Sequence, residues 1–75
     1  MLRIITLNLN GIRSAARKGL LEWLAAQKAD VVCLQEVKAQ LPDIAPAILN
    51  PHPYSGHFSC AEKKGYSGVG LYCRK

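Results

Sequence analysis

The chain has 75 residues, 49% of them hydrophobic, and a formal net charge of +5 from ten Lys and Arg against five acids. This length allows one domain at most, and apolar residues in periodic blocks exclude a disordered chain. The basic balance favours a polyanionic partner, with nucleic acid ahead of an anionic membrane. No segment approaches about 18 apolar residues and no signal-peptide pattern is present, so we expect neither membrane spanning nor secretion.

The cysteines Cys33, Cys60 and Cys73 are odd in number and widely spaced, without a CxxC pair. This pattern argues against both a disulfide framework and a zinc site. Each cysteine lies in an apolar or strand-like context, so we expect buried thiols in a reducing, cytoplasmic environment.

The first half of the chain predicts a strand, a helix and a second strand. Leu2–Leu9 is rich in aliphatic and β-branched residues, and Val31–Gln35 is an apolar run that ends in polar residues. Such a run is typical of a buried strand in a parallel sheet. Apolar residues at helical spacing predict a helix between the strands, from about Ile12 or Ser14 to Gln27. Together these elements form a βαβ unit with parallel strands.

The predicted helix carries one apolar stripe, which we expect to lie in the core. Gly19 is expected to separate a short first turn from the main helix, because glycine disfavours a helix interior. Trp23 is interpreted as a core residue rather than a platform for a ligand. The stripe consists of Ile12, Ala16, Leu20, Trp23 and Leu24.

The second half predicts loop followed by a β-hairpin. All four prolines lie within Ala39–Pro53, where only Asp43–Leu49 is expected to form a helical turn or two. Tyr54–Cys60 and Gly68–Arg74 are predicted to be the two strands of the hairpin.

Polar side chains follow the two predicted parallel strands. Because both strands run the same way, Asn8 and Glu36 should emerge at the same edge of the sheet, where α/β proteins bind ligands. Mg²⁺ is often held by one or two carboxylates, so Glu36 is a candidate ligand, with Asn8 orienting a water or a phosphate oxygen. An equally weighted alternative has no function: Glu36 merely pairs with Lys38 or an arginine, and Asn8 caps a turn. Lys38 should share the side of Glu36 if the strand continues, and an exposed surface lysine is the alternative.

The predicted hairpin loop is basic and contains Lys63, Lys64, Gly65 and Tyr66. Its cations could bind phosphates while the glycine and the tyrosine approach a groove, although hairpin loops are commonly basic. The sequence has none of the local signatures of dinucleotide binding, P-loop hydrolysis or serine hydrolysis.

Four segments of the chain together resemble one enzyme family. In order they are Leu7–Arg13 (LNLNGIR), Lys18–Trp23 (KGLLEW), Asp30–Lys38 (DVVCLQEVK) and Gly65–Leu71 (GYSGVGL). They are similar to the amino-terminal quarter of the exodeoxyribonuclease III type apurinic/apyrimidinic endonucleases, within the endonuclease–exonuclease–phosphatase fold. The resemblance implies an α/β (α+β) fold, with residues 1–75 as the amino-terminal part of a single four-layered sandwich domain. Half of such a sandwich would leave an apolar sheet face exposed.

The resemblance also implies an activity. Members are Mg²⁺-dependent DNA repair nucleases, with Mn²⁺ as a possible substitute, that cleave double-stranded DNA 5′ to abasic sites. A 3′-to-5′ exonuclease or 3′-phosphodiesterase activity on 3′ ends often accompanies this cleavage. No obligate protein partner is expected. The alternatives are a non-catalytic basic nucleic-acid-binding module and a sibling phosphoesterase that acts on lipids, against which the GYSGVG segment and the positive charge count.

Residue by residue, the resemblance makes Glu36 the metal-binding glutamate and Asn8 the asparagine beside it in the active site and metal site. Lys38 matches a lysine that organises neighbouring carboxylates, and Asn10 stands where some members carry aspartate. The residues expected to approach DNA are Arg13, Lys38, Lys63, Gly65 and Tyr66. The general base of the family and its other catalytic residues would lie beyond position 75, so we expect this chain alone to be inactive.

Overall fold

The computed structural model describes residues 2–60 and 68–74. It has a mixed α/β architecture, as the sequence predicts. In chain order the elements are β1 (Ile4–Asn8), α1 (Ile12–Arg17), α2 (Leu20–Gln27), β2 (Val31–Gln35), a 3₁₀ turn (Leu41–Asp43), α3 (Pro46–Leu49), β3 (Tyr54–Cys60) and β4 (Gly68–Arg74).

The strands form one four-stranded sheet in the order β1-β2-β4-β3. β1 and β2 pair in parallel, with Asn8 opposite Gln35 at their carboxyl ends. β4 is antiparallel to both β2 and β3, which confirms the predicted hairpin. The bounds of β2, β3 and β4 agree with the prediction, whereas β1 is shorter than the predicted Leu2–Leu9.

The predicted helix is divided in two at Gly19. This residue has φ 102°, a left-handed conformation that glycine adopts without steric cost, and α2 begins at Leu20. The expectation for Trp23 is wrong, since its side chain is 38% exposed. Leu20, Leu21 and Leu24 define the covered face of α2, and at roughly 100° per residue Trp23 lies about 100° from its centre.

The core lies between the helices and one face of the sheet. β1 contributes alternate residues to it, and the buried side chains also include Ile12, Val32, Leu34 and Tyr72. Tyr72 is fully buried, its hydroxyl donates to the Ile48 carbonyl at 2.5 Å, and burial raises its pKa to about 12. This hydrogen bond links β4 to α3.

The other face of the sheet is open. Leu2, Ile4 and Val69 are between 53% and 66% exposed, which confirms the expected apolar face. Cys33 and Cys73 are free and half-buried rather than fully buried, because alternation in β2 and β4 turns them toward this open side. Among the described residues, no helix has the length and apolar character that crossing a membrane requires.

Candidate active site

The carboxyl ends of β1 and β2 are tied together by backbone hydrogen bonds that continue past the strands. Leu9 N donates to Gln35 O at 2.9 Å, and Gly11 N donates to Glu36 O at 2.8 Å. The first residue of α1 extends the series, because Ile12 N donates to Val37 O at 2.9 Å. The segments that follow the two strands, residues 9–12 and 36–38, are therefore held together at one edge of the sheet, which we call the rim.

The backbone after β2 turns sharply. Glu36 and Lys38 have φ values of 52° and 53°, in the left-handed region that costs a non-glycine residue about 1–2 kcal/mol. Val37 between them is fully buried, and its N–H donates to Gly68 O at 3.2 Å. Anchoring Val37 in the core leaves the two flanking side chains 40% and 37% exposed at the rim.

Asn8 and Glu36 meet at this rim. Asn8 Nδ2 donates a hydrogen bond to Glu36 Oε2, so the predicted convergence of the two side chains is confirmed. Asn8 Oδ1 in turn accepts the backbone N–H of Asn10 at 3.0 Å. The Asn10 N–H thus fixes the orientation of the Asn8 amide, so that its NH₂ group points at the carboxylate.

Lys38 completes the cluster by a route that the sequence did not predict. The strand ends at Gln35, so the premise that it continues through Lys38 is wrong. Even so, Lys38 Nζ lies 3.5 Å from Glu36 Oε1 and 2.7 Å from Asn10 Oδ1. The side-chain contact of Asn10 was missed, although asparagine is one of the few residues suited to its φ of 49°.

These contacts lower the pKa of Glu36 from its ordinary value. The hydrogen bond from Asn8 is the main cause, desolvation opposes it, and the nearby Lys38 ammonium adds to the lowering of the pKa. Donors aimed at a carboxylate stabilise its charged form. Glu36 is therefore an anion at neutral pH.

The donor set can be compared with what different metals require. The described residues contain no cluster of three or more His, Cys, Asp or Glu side chains, so they do not form a zinc-type site. Mg²⁺ commonly keeps several waters and binds through one or two carboxylates plus substrate phosphate oxygens. A single exposed carboxylate such as Glu36 fits that kind of site.

The other predicted DNA contacts are less fully defined. Arg13 is exposed on α1, one residue after the Ile12 N–H that joins the rim. Lys63, Gly65 and Tyr66 lie outside the described residues. Beside the rim the structure has an open groove of about 360 Å³, which no sequence pattern predicts. Its lining includes Asn8, Asn10, Ser14, Lys18 and Trp23.

The model of the endonuclease/exonuclease/phosphatase family matches residues 5–75. The chain belongs to this family. Within it, an exodeoxyribonuclease from Bacillus subtilis is 36% identical over 75 residues, covering 99% of this chain and 29% of the relative. DNA-(apurinic or apyrimidinic site) endonuclease 2 from Xenopus laevis is 42% identical over 76 residues, covering 97% of this chain and 14% of the relative.

Solved structures of the family agree with the sequence matches. An AP endonuclease from Archaeoglobus fulgidus superposes with a TM-score of 0.81 at 32% identity, over 97% of this chain and 27% of that one. These similarities confirm the resemblance expected from the sequence. The chain spans less than a third of the length of these relatives.

Proposed function

We propose that residues 1–75 are the amino-terminal part of a Mg²⁺-dependent DNA repair nuclease domain. The proposed reaction is cleavage of the phosphodiester bond 5′ to an abasic site, with 3′-to-5′ exonuclease or 3′-phosphodiesterase activity on 3′ ends. The observation that carries the proposal is the ionised Glu36 carboxylate, oriented by Asn8 at the carboxyl edge of two parallel strands. The similarity to AP endonucleases over nearly the whole chain supports the choice of substrate.

In this proposal Glu36 holds the Mg²⁺ ion, which Mn²⁺ can replace. When bound, the ion supplies charge stabilisation to the phosphate and to the leaving oxygen. Asn8 orients Glu36 and is available to a phosphate oxygen. Its Oδ1 accepts the Asn10 N–H, and because an amide oxygen has two lone pairs it remains a second candidate ligand for the metal. The general base is assigned to a residue outside this chain.

The basic residues would position DNA rather than select a base sequence. Lys38 lies at the rim, Arg13 is exposed on α1 nearby in sequence, and Lys63, Gly65 and Tyr66 are assigned to a loop that contacts the DNA backbone. Contacts from cations to phosphates fix the register of a duplex and carry no sequence information directly. The net charge of +5 supports this assignment.

A chimera tests the proposal. This chain would replace the matching 27% of the Archaeoglobus fulgidus AP endonuclease, and the product would be assayed on a duplex with one abasic site. We expect Mg²⁺-dependent cleavage that EDTA abolishes. The Glu36→Gln chimera, which keeps the size of the side chain but loses its charge, should lose at least about 100-fold in rate if the metal is lost with it.

The separate chain provides a second test, and the chimera decides between the enzyme and the binding module. We expect no cleavage from it in Mg²⁺, because it supplies no general base. Robust turnover would contradict the assignment of that base to a residue elsewhere. A folded chimera that binds the duplex but does not cut it would favour the non-catalytic binding module.

A further inference from the structure

The two oxygens of the Glu36 carboxylate have different neighbours. Oε2 accepts the hydrogen bond from Asn8 Nδ2, whereas Oε1 faces the ammonium of Lys38 at 3.5 Å. A divalent cation that approaches the carboxylate therefore meets Oε1 as the oxygen that has no hydrogen bond from Asn8. That oxygen is the one beside the lysine.

The ammonium of Lys38 is held more closely by a neutral group than by the acid. Its distance to Asn10 Oδ1 is 2.7 Å, within hydrogen-bonding range, while 3.5 Å from Oε1 is beyond the usual length of a charge-assisted hydrogen bond. Asn10 thus holds the positive charge beside Glu36 without letting it close onto the carboxylate.

We propose that Lys38 is an internal competitor for Glu36 Oε1, and that the Asn10 side chain limits this competition and so sets the divalent-cation affinity of the site. The inference rests on the proposed function, since it assumes that Glu36 is the metal ligand. Removing the ammonium frees Oε1 and removes a like charge from the neighbourhood of the ion. Removing the Asn10 side chain releases the ammonium toward Oε1.

The expected changes in affinity have opposite signs. Lys38→Gln should bind Mn²⁺ about fivefold more tightly, the scale of one screened charge a few ångströms from a divalent ion at an exposed site. Asn10→Gly, which accepts the left-handed backbone at this position, should bind Mn²⁺ about two- to threefold more weakly. In the double variant the Asn10→Gly effect should disappear, because Asn10 acts only through the lysine.

The measurement is a titration of the ¹⁵N-labelled chain with Mn²⁺, followed by paramagnetic broadening of the Glu36 backbone amide and the Asn8 side-chain amide. This readout needs no catalysis and works at weak affinity. Lys28→Gln is the matched control. Lys28 also has a left-handed backbone, with φ 52°, but it precedes β2, whereas Glu36 follows β2 at the other end of the strand. It changes the net charge equally and should leave the affinity unchanged.

Each outcome decides a separate point. Unchanged or weaker binding by Lys38→Gln, with wild-type broadening centred on Glu36, would overturn the competition while the metal role of Glu36 stands. If Asn10→Gly still weakens binding in the Lys38→Gln background, Asn10 is itself a ligand and its assigned role is wrong. Absence of broadening near Glu36 in every variant would overturn this inference and the metal role together. Lys38→Gly, suited to the φ of 53°, replaces Lys38→Gln if the latter loses the dispersed spectrum of a folded chain.

Discussion

Gly70 is a glycine because of the space it leaves for an aromatic ring. Gly70 lies opposite Phe58 on β3 and opposite Leu34 on β2. A Cβ added at this position would lie 2.6 Å from two carbons of the Phe58 ring and 3.4 Å from Leu34 Cδ1. The half-buried ring packs edge-on against Tyr72 with a centroid distance of 5.9 Å, so moving it away from a new methyl group would disturb that contact.

Gly70→Ala should therefore destabilise the fold although alanine suits a strand better than glycine. Overpacking of this kind costs about 2 kcal/mol at mid-range, while replacing a strand glycine returns about 0.75 kcal/mol, so we expect a net loss of about 1 kcal/mol. In a chain of this size, that loss lowers the melting temperature by roughly 4–8 °C. Urea unfolding followed by far-ultraviolet circular dichroism measures the loss directly.

A second substitution separates the clash from other effects of Gly70→Ala. Phe58→Val removes both the Cδ and the Cε carbons that the new methyl group would meet and keeps a residue suited to a strand, so in that background the Gly70→Ala penalty should fall below about 0.5 kcal/mol. A Gly70→Ala chain as stable as the wild type would refute the reasoning. So would an equal penalty in both backgrounds, since the penalty would then come from something other than the ring.

Three further predictions concern the fold and the rim. Gly56→Ala should destabilise the fold more than Gly70→Ala does and leave the chain unfolded even without urea, because its Cβ would lie 1.7 Å from the backbone oxygen of Leu49. A mild loss of stability would contradict this. Asn8→Ala should raise the pKa of Glu36, seen by carboxyl ¹³C titration, because it removes the main donor to the carboxylate. In the wild type the lowered pKa of Glu36 adds stability above its unfolded-state pKa, and this is lost as the pH falls through the folded-state value; Asn8→Ala should flatten that dependence, and an unchanged profile would count against the hydrogen bond. Lys28→Gly should raise the free energy of unfolding by about 1 kcal/mol, and with it the melting temperature, because Lys28 ends α2 with φ 52°, where glycine is favoured. An unchanged or lower melting temperature would show that this backbone is not strained.

The sequence predicted the elements whose pattern is local and periodic. Val31–Gln35 has the predicted bounds because an apolar run between polar residues needs no distant partner to be interpreted. The meeting of Asn8 and Glu36 followed from one topological rule, that strands of a βαβ unit are parallel and present their carboxyl ends together. Trp23 was placed wrongly because the break at Gly19 makes α2 a separate helix, with a covered face set by its own leucines.

The contacts of Lys38 could not be predicted in this way, because they depend on Val37, a core residue whose apolar side chain takes no part in the hydrogen bonds of the cluster. Val37 is fully buried, accepts the Ile12 N–H and donates to Gly68 O, so it joins the start of α1 and the start of β4 to the end of β2. With those partners in place the backbone is left-handed on both sides of Val37, and the Glu36 and Lys38 side chains both reach the rim. Strain of this kind persists only where the surrounding structure imposes it. The polar cluster is thus arranged by an apolar anchor and by hydrogen bonds to two other elements, and a reading of polar residues along the strand cannot supply either.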